Sequence, residues 1–237
     1  MRDHIPPLIR TGRDAQVATE QFQVLRTFIE DWVAEHSKRV ILLTSALRQE
    51  GKSFVAINLA ASLASPETPV VLVDADCRAP SVHRAFNLTP IAGLLTYLEG
   101  RATLADCLHQ THIPGLRVLP AGGVGIGNPE AFAGTRMRNL VEELRALDPP
   151  HYVLFDAPAA LAAPETRILA RLTDAGLLVV AANMTARRFV TQTTEMLQPL
   201  PFCGVVFNRF ELPYSAARTV RYRYGYPERG NGDGASV

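Results

Sequence analysis

The chain has 237 residues, of which 47% are hydrophobic and 20% charged, and its formal net charge is +1. These values are typical of a globular chain long enough to form an α/β domain, and they exclude a coiled coil, a collagen-like chain and wholesale disorder. No apolar run approaches the roughly eighteen residues needed to cross a bilayer, and the N-terminus lacks the apolar core of a signal peptide. We therefore expect a cytoplasmic protein.

The predicted elements alternate between helices and strands. Residues 1–15 are expected to form a flexible lead-in, and apolar residues at three- and four-residue spacing predict a helix over 15–36. Further helices are predicted over 52–65 and near 130–147, 164–172 and 187–198. Strands are predicted at 40–44, 70–73, 116–120, 152–155, 176–181 and 204–207. Short apolar strands separated by long helices are typical of a doubly wound, mostly parallel α/β sheet.

The composition changes after residue 212, so we expect one domain over 16–212 and a separate tail over 213–237. The tail holds four of the six tyrosines, interleaved with arginines, and ends in a glycine-rich stretch. Such a segment buries too little apolar area to offset its ordering entropy, and it should be flexible and accessible. The four tyrosines are Tyr214, Tyr222, Tyr224 and Tyr226.

The segment Ala46 to Ser53, with the sequence ALRQEGKS, lies between a predicted strand and a predicted helix. This is the context of a phosphate-binding loop, in which helix N-terminal amides, a lysine and a serine hydroxyl hold phosphates and Mg²⁺. Lys52 is one of only two lysines in the chain. The motif normally begins with glycine and here begins with alanine, so GKS alone is weak evidence.

Two further predicted strands end in carboxylates. Asp74 and Asp76 follow the strand at 70–73, and Asp156 follows the strand at 152–155. At the carboxyl edge of a parallel sheet these acids would repel each other unless a cation lies between them. A helix cap or an ion pair with Arg78 would explain the first two, and a turn before Pro158 the third. The three strand ends together favour a magnesium-nucleotide site.

The chain resembles the bacterial tyrosine kinases (BY-kinases) of capsule and exopolysaccharide synthesis, within the MinD/ParA-like branch of P-loop proteins. The resemblance covers about residues 16–226, and its most specific parts are DADCR, similar to the Walker A′ motif, and the C-terminal tyrosine cluster. The other shared motifs are ALRQEGKS, LPAGGVGIGNPEAF, YVLFDAPA and VVFNR. The resemblance implies a P-loop NTPase fold and an ATP- and Mg²⁺-dependent protein-tyrosine kinase.

The resemblance also implies roles for individual residues. Catalytic roles fall on Lys52, Asp74, Asp76 and Asp156. Phosphoryl transfer to a tyrosine also needs a proton acceptor, for which Asp76 is the candidate. Magnesium would be held by Ser53, Asp74 and Asp156. Nucleotide contacts are implied for Glu50, Gly51, Lys52, Ser53, Phe54, Arg78 and Asn208, the asparagine being matched to one that contacts adenine. Tyr222, Tyr224 and Tyr226 are the leading phosphoacceptors, and Tyr214 is a further candidate.

The implied partners are a second copy of the chain and a membrane polysaccharide copolymerase whose cytosolic tail activates the kinase. Such a partner would recruit the chain to the inner face of the plasma membrane. Two positions depart from the family pattern. Gln49 stands where the family commonly has glycine, which matters only if that position requires a positive φ. Gln23 stands where the leading helix has an arginine that helps to close a ring.

These departures leave alternatives open. A catalytically weak relative could act as a nucleotide-dependent scaffold of the polysaccharide machinery. A MinD/ParA-type positioning ATPase is less favoured, because Leu47 replaces the signature lysine of that class. Nucleic-acid or membrane binding by the Arg/Tyr tail is disfavoured because the segment is short and its net charge is small, and we expect no nucleic-acid partner.

Overall fold

The computed structural model of the protein describes residues 13–89, 92–123 and 129–210, with side chains from Ala18 onward. These residues form a sheet of seven strands in the order β3-β4-β2-β5-β1-β6-β7. All neighbouring strands are parallel except β3 and β4, which are antiparallel. The strands are β1 Val40–Ser45, β2 Val70–Asp74, β3 His109–Gln110, β4 Leu116–Leu119, β5 Tyr152–Asp156, β6 Ala175–Ala181 and β7 Phe202–Asn208. The predicted doubly wound sheet is therefore confirmed.

Helices cover both faces of this sheet. They are α1 Arg13–His36, α2 Lys52–Leu63, α3 Val82–Ala85, α4 Leu94–Leu98, α5 Leu104–Cys107, α6 Pro129–Ala133, α7 Thr135–Arg145, α8 Pro164–Leu169 and α9 Arg187–Met196. The single helix predicted near 130–147 was wrong, because the backbone at Gly134 is extended, with ψ 168°, and separates α6 from α7. Helices α3 to α5 are too short to produce a recognisable apolar periodicity, and the sequence did not predict them. The helix predicted from residue 15 begins at Arg13, and the rest of the expected lead-in, like the tail over 213–237, lies outside the described residues.

The chain order brings the chemically important strand ends together. After β1 the chain crosses to β2, and β5 later inserts between them, so β5 pairs with β2 on one side and β1 on the other. Asp74 and Asp156 are register partners at the ends of β2 and β5, and Asp156 also pairs with Leu43 of β1. The carboxyl ends of three adjacent parallel strands therefore meet at one edge, where ligands bind in open α/β sheets.

The inner strands are buried on both faces, which explains their unbroken apolar sequences. Every residue of β1, β2, β5 and β6 is buried. One core cluster joins the sheet to α1, α2 and α3, and the other joins it to α4, α7 and the segment after α9. A rigid sheet thus holds the loops at its carboxyl edge.

The leading helix α1 packs against α2. Ile29 is fully buried and Val33 nearly so, while Phe22 meets Phe54 of α2 edge to face, with ring centroids 5.9 Å apart. Arg26 donates from Nη1 to the carbonyl of Ser62 at 2.9 Å. The helix therefore belongs to the same core as α2, the helix that follows the phosphate loop. Within the described ranges, none of the helices combines the length and apolar character of a membrane span.

Truncating the buried face of α1 tests this packing. We expect Ile29→Ala to lower the free energy of unfolding by about 2–5 kcal/mol, because it leaves a cavity between α1 and the sheet. Val24→Ala on the same helix is the control, since Val24 is 66% exposed and its truncation should cost less than about 0.5 kcal/mol. Urea denaturation followed by circular dichroism measures both. Equal losses would contradict the docking of α1 described here.

Candidate functional site

The loop between β1 and α2 presents backbone amides to an anion. Helix α2 begins at Lys52, and neither a side-chain cap nor an acidic residue in the first turn competes for its N-terminal amides. Gly51 adopts φ 90°, and a Cβ added there would lie 1.9 Å from Nδ2 of Asn208. Glycine is required at this position both by the backbone conformation and by the space available. This arrangement suits a phosphate group.

The three predicted carboxylates and the predicted lysine converge beside this loop. Lys52 Nζ lies 2.7 Å from Oδ2 of Asp76. Asp74 accepts hydrogen bonds at Oδ2 from the backbone amides of Ser81 and Val82, each at 3.0 Å. In the described part of the chain, Oδ1 of Asp74 is buried without a hydrogen-bond partner, and buried Asp156 has only the hydroxyl of Ser53 placed to donate to it.

Burial and mutual repulsion make the two innermost acids difficult to ionise. Burial, followed by the charge of Asp156, raises the pKa of Asp74 to about 8, although the amides of Val82 and Ser81 oppose this. Burial also raises the pKa of Asp156 to about 6, against the charge of Lys52. For Lys52, burial lowers the pKa, but the charges of Asp156, Asp76 and Asp74 outweigh it, and the pKa is raised overall.

The carboxylates of Asp74 and Asp156 fit a divalent cation. Carboxylates are hard oxygen ligands, and a cation next to them would offset the burial and the repulsion that raise both pKa values. Within the described ranges, no three His, Cys, Asp or Glu residues converge as a complete metal cage. That is expected for Mg²⁺, which usually takes one or two carboxylates and completes its shell with waters and substrate phosphates.

Arg78 pairs with an acid that the sequence did not suggest. Its Nη2 lies 2.8 Å from Oε1 of Glu165, and Glu165 is 1% exposed. Arg78 therefore forms its ion pair with Glu165, and the hypothesis of a pair with the aspartates of its own motif was wrong. Glu165 lies in α8, 87 residues further along the chain, and no local sequence signal could have identified it.

Three residues expected to contact nucleotide have other contacts in the structure. The ring of Phe54 packs against Phe22 of α1, and its backbone amide belongs to the first turn of α2. The carboxylate of Glu50 is buried and lies within the loop. Asn208 donates from Nδ2 to the carbonyl of Glu50 at 2.8 Å, which places the end of β7 against the phosphate loop.

The backbone at Gln49 shows that this position has a positive φ. Its φ is 65°, in the left-handed region, and its side chain is exposed. A non-glycine residue in this conformation costs on the order of 1–2 kcal/mol. The position thus favours glycine, and this chain holds the loop conformation without one.

Other sequence predictions fall elsewhere in the structure. Gln23 is exposed on α1, whereas Arg26 is half-buried and bridges to Glu30 at 2.8 Å. The two tyrosines with described side chains, Tyr97 and Tyr152, are 5% and 8% exposed. The four predicted phosphoacceptors, Tyr214, Tyr222, Tyr224 and Tyr226, lie outside the described residues.

Comparison with known proteins gives a consistent result. The family described as CobQ/CobB/MinD/ParA nucleotide binding domain matches residues 44–223, which include the loop, the three aspartates and Asn208. Tyrosine-protein kinase YwqD of Bacillus subtilis is 32% identical over 180 residues, covering 76% of this chain and 75% of that protein.

Two further matches bear on length and fold. Succinoglycan biosynthesis transport protein ExoP of Rhizobium meliloti is 32% identical over 241 residues, covering 94% of this chain. The chain spans only 30% of ExoP. The kinase domain of Escherichia coli tyrosine kinase ETK superposes with a TM-score of 0.75 at 27% identity, covering 83% of this chain and 79% of that one.

Glycine at position 49 should raise the affinity of the phosphate loop for nucleotide. We expect Gln49→Gly to tighten binding of Mg-ATP by about three- to tenfold, because glycine adopts the left-handed conformation without the steric cost. Arg48→Gly is the matched control, since Arg48 is also exposed but lacks a positive φ. Isothermal titration calorimetry gives both affinities. Identical affinities for wild type and Gln49→Gly would contradict a strained loop.

The raised pKa values predict a pH-dependent stability of the nucleotide-free protein. Since the folded-state pKa values of Asp74 and Asp156, about 8 and 6, exceed the ordinary value of 3.8, the folded state binds more protons. The free energy of unfolding contributed by this pair is therefore greatest below pH 4 and is lost as the pH rises toward 8.

Asp74→Asn should remove much of this loss. We expect its Tm at pH 7.5 to rise by about 2–8 °C, equivalent to roughly 1–2 kcal/mol, and its dependence on pH to flatten. Asp31→Asn, at an exposed position of α1, is the control and should leave the pH profile as in wild type. A parallel fall of Tm with pH in wild type and Asp74→Asn would show that the pair is not repulsive.

Proposed function

The chain belongs to the bacterial protein-tyrosine kinases within the CobQ/CobB/MinD/ParA nucleotide-binding family, and we propose that it transfers the γ-phosphoryl group of ATP to tyrosines of its own C-terminal segment. The observation that carries this proposal is the convergence of Lys52, Asp74, Asp76 and Asp156 beside the phosphate loop. By this assignment the protein regulates exopolysaccharide or capsule synthesis, and the relative ExoP is named a succinoglycan biosynthesis transport protein.

The phosphate loop and the magnesium ligands have separate tasks in the proposed site. The amides of α2 and the ammonium group of Lys52 bind the phosphates, while Ser53, Asp74 and Asp156 would hold Mg²⁺. When bound, Mg²⁺ neutralises the charge that develops on the phosphates. Lys52 now pairs with Asp76 at 2.7 Å, so binding of the phosphates offers this lysine a second anionic partner.

The transfer step needs alignment and one proton acceptor. The phenolic oxygen of a tyrosine forms a bond to the γ-phosphorus as the bond from that phosphorus to the β,γ-bridging oxygen breaks, and ADP leaves. The phenolic proton moves to a carboxylate, for which we assign Asp76. Asp76 is 6% exposed and is positioned by the amide of Ala79 at 3.2 Å from Oδ1.

The tail tyrosines are the proposed acceptors. Tyr97 and Tyr152 are buried, and the phenol of Tyr97 donates to Glu143, so neither can enter an active site without unfolding of its surroundings. The remaining four tyrosines all follow β7 in the sequence, beyond Asn208. Each phosphorylation adds a charge of about −1.5 to −2 near neutral pH. Such a change would weaken docking of one subunit's tail on a neighbouring subunit.

The proposed partners are a second copy of this chain and a membrane polysaccharide copolymerase with a cytosolic activating tail. The copolymerase would recruit the kinase to the inner face of the plasma membrane. The relative ExoP is a biosynthesis transport protein more than three times as long as the matched segment, which supports a functional link between this domain and a transport apparatus. Gln23, exposed on α1, changes the surface through which the family is expected to form rings.

One observation favours a second candidate function. The left-handed backbone at Gln49, with φ 65°, imposes a cost on the phosphate loop that glycine would avoid. A chain with weakened nucleotide binding could serve as a nucleotide-dependent scaffold with little kinase activity. The two functions differ in whether phosphate is transferred to the tail.

Intact mass spectrometry after incubation with ATP and Mg²⁺ tests the kinase assignment. We expect successive additions of about 80 Da per phosphoryl group in wild type, and none in Lys52→Met, because that variant lacks the cation that binds the phosphates. Lys38→Met, at the other lysine of the chain and exposed, is the matched control and should be labelled like wild type.

The acceptor positions are tested in the same assay. The triple substitution Tyr222→Phe, Tyr224→Phe and Tyr226→Phe should retain binding of Mg-ATP and lose most of the added mass. Full labelling of this variant would refute the assignment of the tail. Calorimetric binding of Mg-ATP by a wild-type protein that gains no mass would instead support the scaffold function.

A further inference from the structure

Glu50 is a buried acid inside the phosphate loop, and its carboxylate faces the protein. The residue is 3% exposed. Oε2 accepts a hydrogen bond from the amide of Leu47 at 2.6 Å. Oε1 accepts one from the hydroxyl of Thr185 and a longer one, at 3.4 Å, from the amide of Ala181. Both oxygens are thus used by protein donors, on two different segments.

The contact with Leu47 closes the turn that contains the strained residue. The carboxylate of Glu50 holds the amide of Leu47, and the hydroxyl of Ser45 donates to the carbonyl of Leu47 at 2.7 Å. Gln49, with φ 65°, and Gly51, with φ 90°, lie on either side of Glu50. Because Leu47 is held at both its amide and its carbonyl, the loop cannot relax at Gln49 without breaking one of these bonds.

The contact with Thr185 ties the loop to the rest of the sheet edge. Thr185 lies in the turn after β6, where its amide donates to the carbonyl of Ala181 at 3.1 Å. The amide of Ala182 in turn donates to the carbonyl of Asn208 at 2.8 Å, and Nδ2 of Asn208 donates to the carbonyl of Glu50 at 2.8 Å. These contacts form a closed circuit between the phosphate loop, the end of β6 and the end of β7.

Burying a carboxylate costs desolvation free energy, which its hydrogen-bond donors must offset. Hydrogen bonds to a charged acceptor contribute more than neutral ones, and a buried carboxylate that loses a donor keeps its desolvation cost. In the described part of the chain no lysine or arginine forms an ion pair with Glu50. Its hydrogen bonds direct the carboxylate toward Leu47 and the segment that follows β6.

We propose that Glu50 is a positioning residue, which through Leu47 and Thr185 holds the phosphate loop in its binding conformation in spite of Gln49. The proposal rests on the nucleotide-binding function assigned above and adds to it a residue, Thr185, that lies outside the predicted motifs. Glu50 acts here through the backbone of the loop and does not contact the nucleotide with its carboxylate.

Thr185→Val removes the hydroxyl donor at nearly constant volume. We expect it to weaken binding of Mg-ATP by about 5- to 50-fold, measured by calorimetry well below the Tm of the variant. Thr185→Ser restores a hydroxyl and should recover most of the wild-type affinity. Thr191→Val, at an exposed threonine of α9, controls for the exchange of threonine for valine and should bind Mg-ATP like wild type.

The variants also separate positioning from general stability. If Thr185 only stabilised the fold, Thr185→Val would lower the Tm and leave the affinity of the folded protein unchanged. That result would overturn the proposal. Wild type that fails to bind Mg-ATP would refute the proposed function itself, whereas binding by wild type and equally tight binding by Thr185→Val would refute only the role of this residue.

The link to the strained residue has its own test. In a Gln49→Gly background the loop should need less support, so Thr185→Val should cost a smaller factor in affinity than in wild type. Equal factors in the two backgrounds would overturn the link to Gln49. Should Thr185→Val fail to fold, Glu50→Gln provides a second test. Its side chain carries one acceptor oxygen and cannot accept from the amides of both Leu47 and Ala181, so weaker binding is again expected.

Discussion

The repulsion between Asp74 and Asp156 is the constraint on which the rest of the site depends. Parallel pairing of β2 with β5 places the two carboxylates in register at adjacent strand ends, and the buried surroundings raise the pKa of both. The fold therefore maintains an arrangement that is unfavourable until a cation arrives. Lys52 supplies part of the missing positive charge, since its charge lowers the pKa of Asp156 against the effect of burial. The Mg²⁺ of a bound nucleotide would supply the remainder, which couples ligand binding to the stability of the sheet edge.

A second unfavourable feature, the left-handed backbone of Gln49, lies in the loop that faces these acids. Unfavourable local conformations persist only where their surroundings determine them. Here the surroundings are the hydrogen bonds of Glu50 to Leu47 and Thr185, and the contact of Asn208 with the loop. The rigid sheet below, fully buried along β1, β2, β5 and β6, anchors every segment that makes these contacts. The left-handed Gln49 and the repelling aspartates thus lie at the same edge of a well-packed sheet.

The arrangement also explains how a kinase of this fold can depart from its family pattern. Glycine at position 49 would adopt the loop conformation without a steric cost, whereas glutamine requires support from neighbouring segments. That support comes from β6 and β7, which lie on the side of β1 opposite to the aspartates. The ends of β2 and β5 therefore carry the charged groups, whereas the ends of β6 and β7 hold the backbone conformation of the loop.

The sequence alone determined the sheet class, the order of its main elements and the residues of the charged cluster. Continuous apolar strands, the GKS tripeptide and acids at strand ends are local patterns whose physical meaning does not depend on distant residues. Tertiary structure decided what local patterns cannot encode. It set the sign of φ at Gln49, divided α6 from α7 at Gly134, and paired Arg78 with Glu165 and Glu50 with Thr185. Those contacts join residues 87 and 135 positions apart, and only the packing of the sheet brings them together.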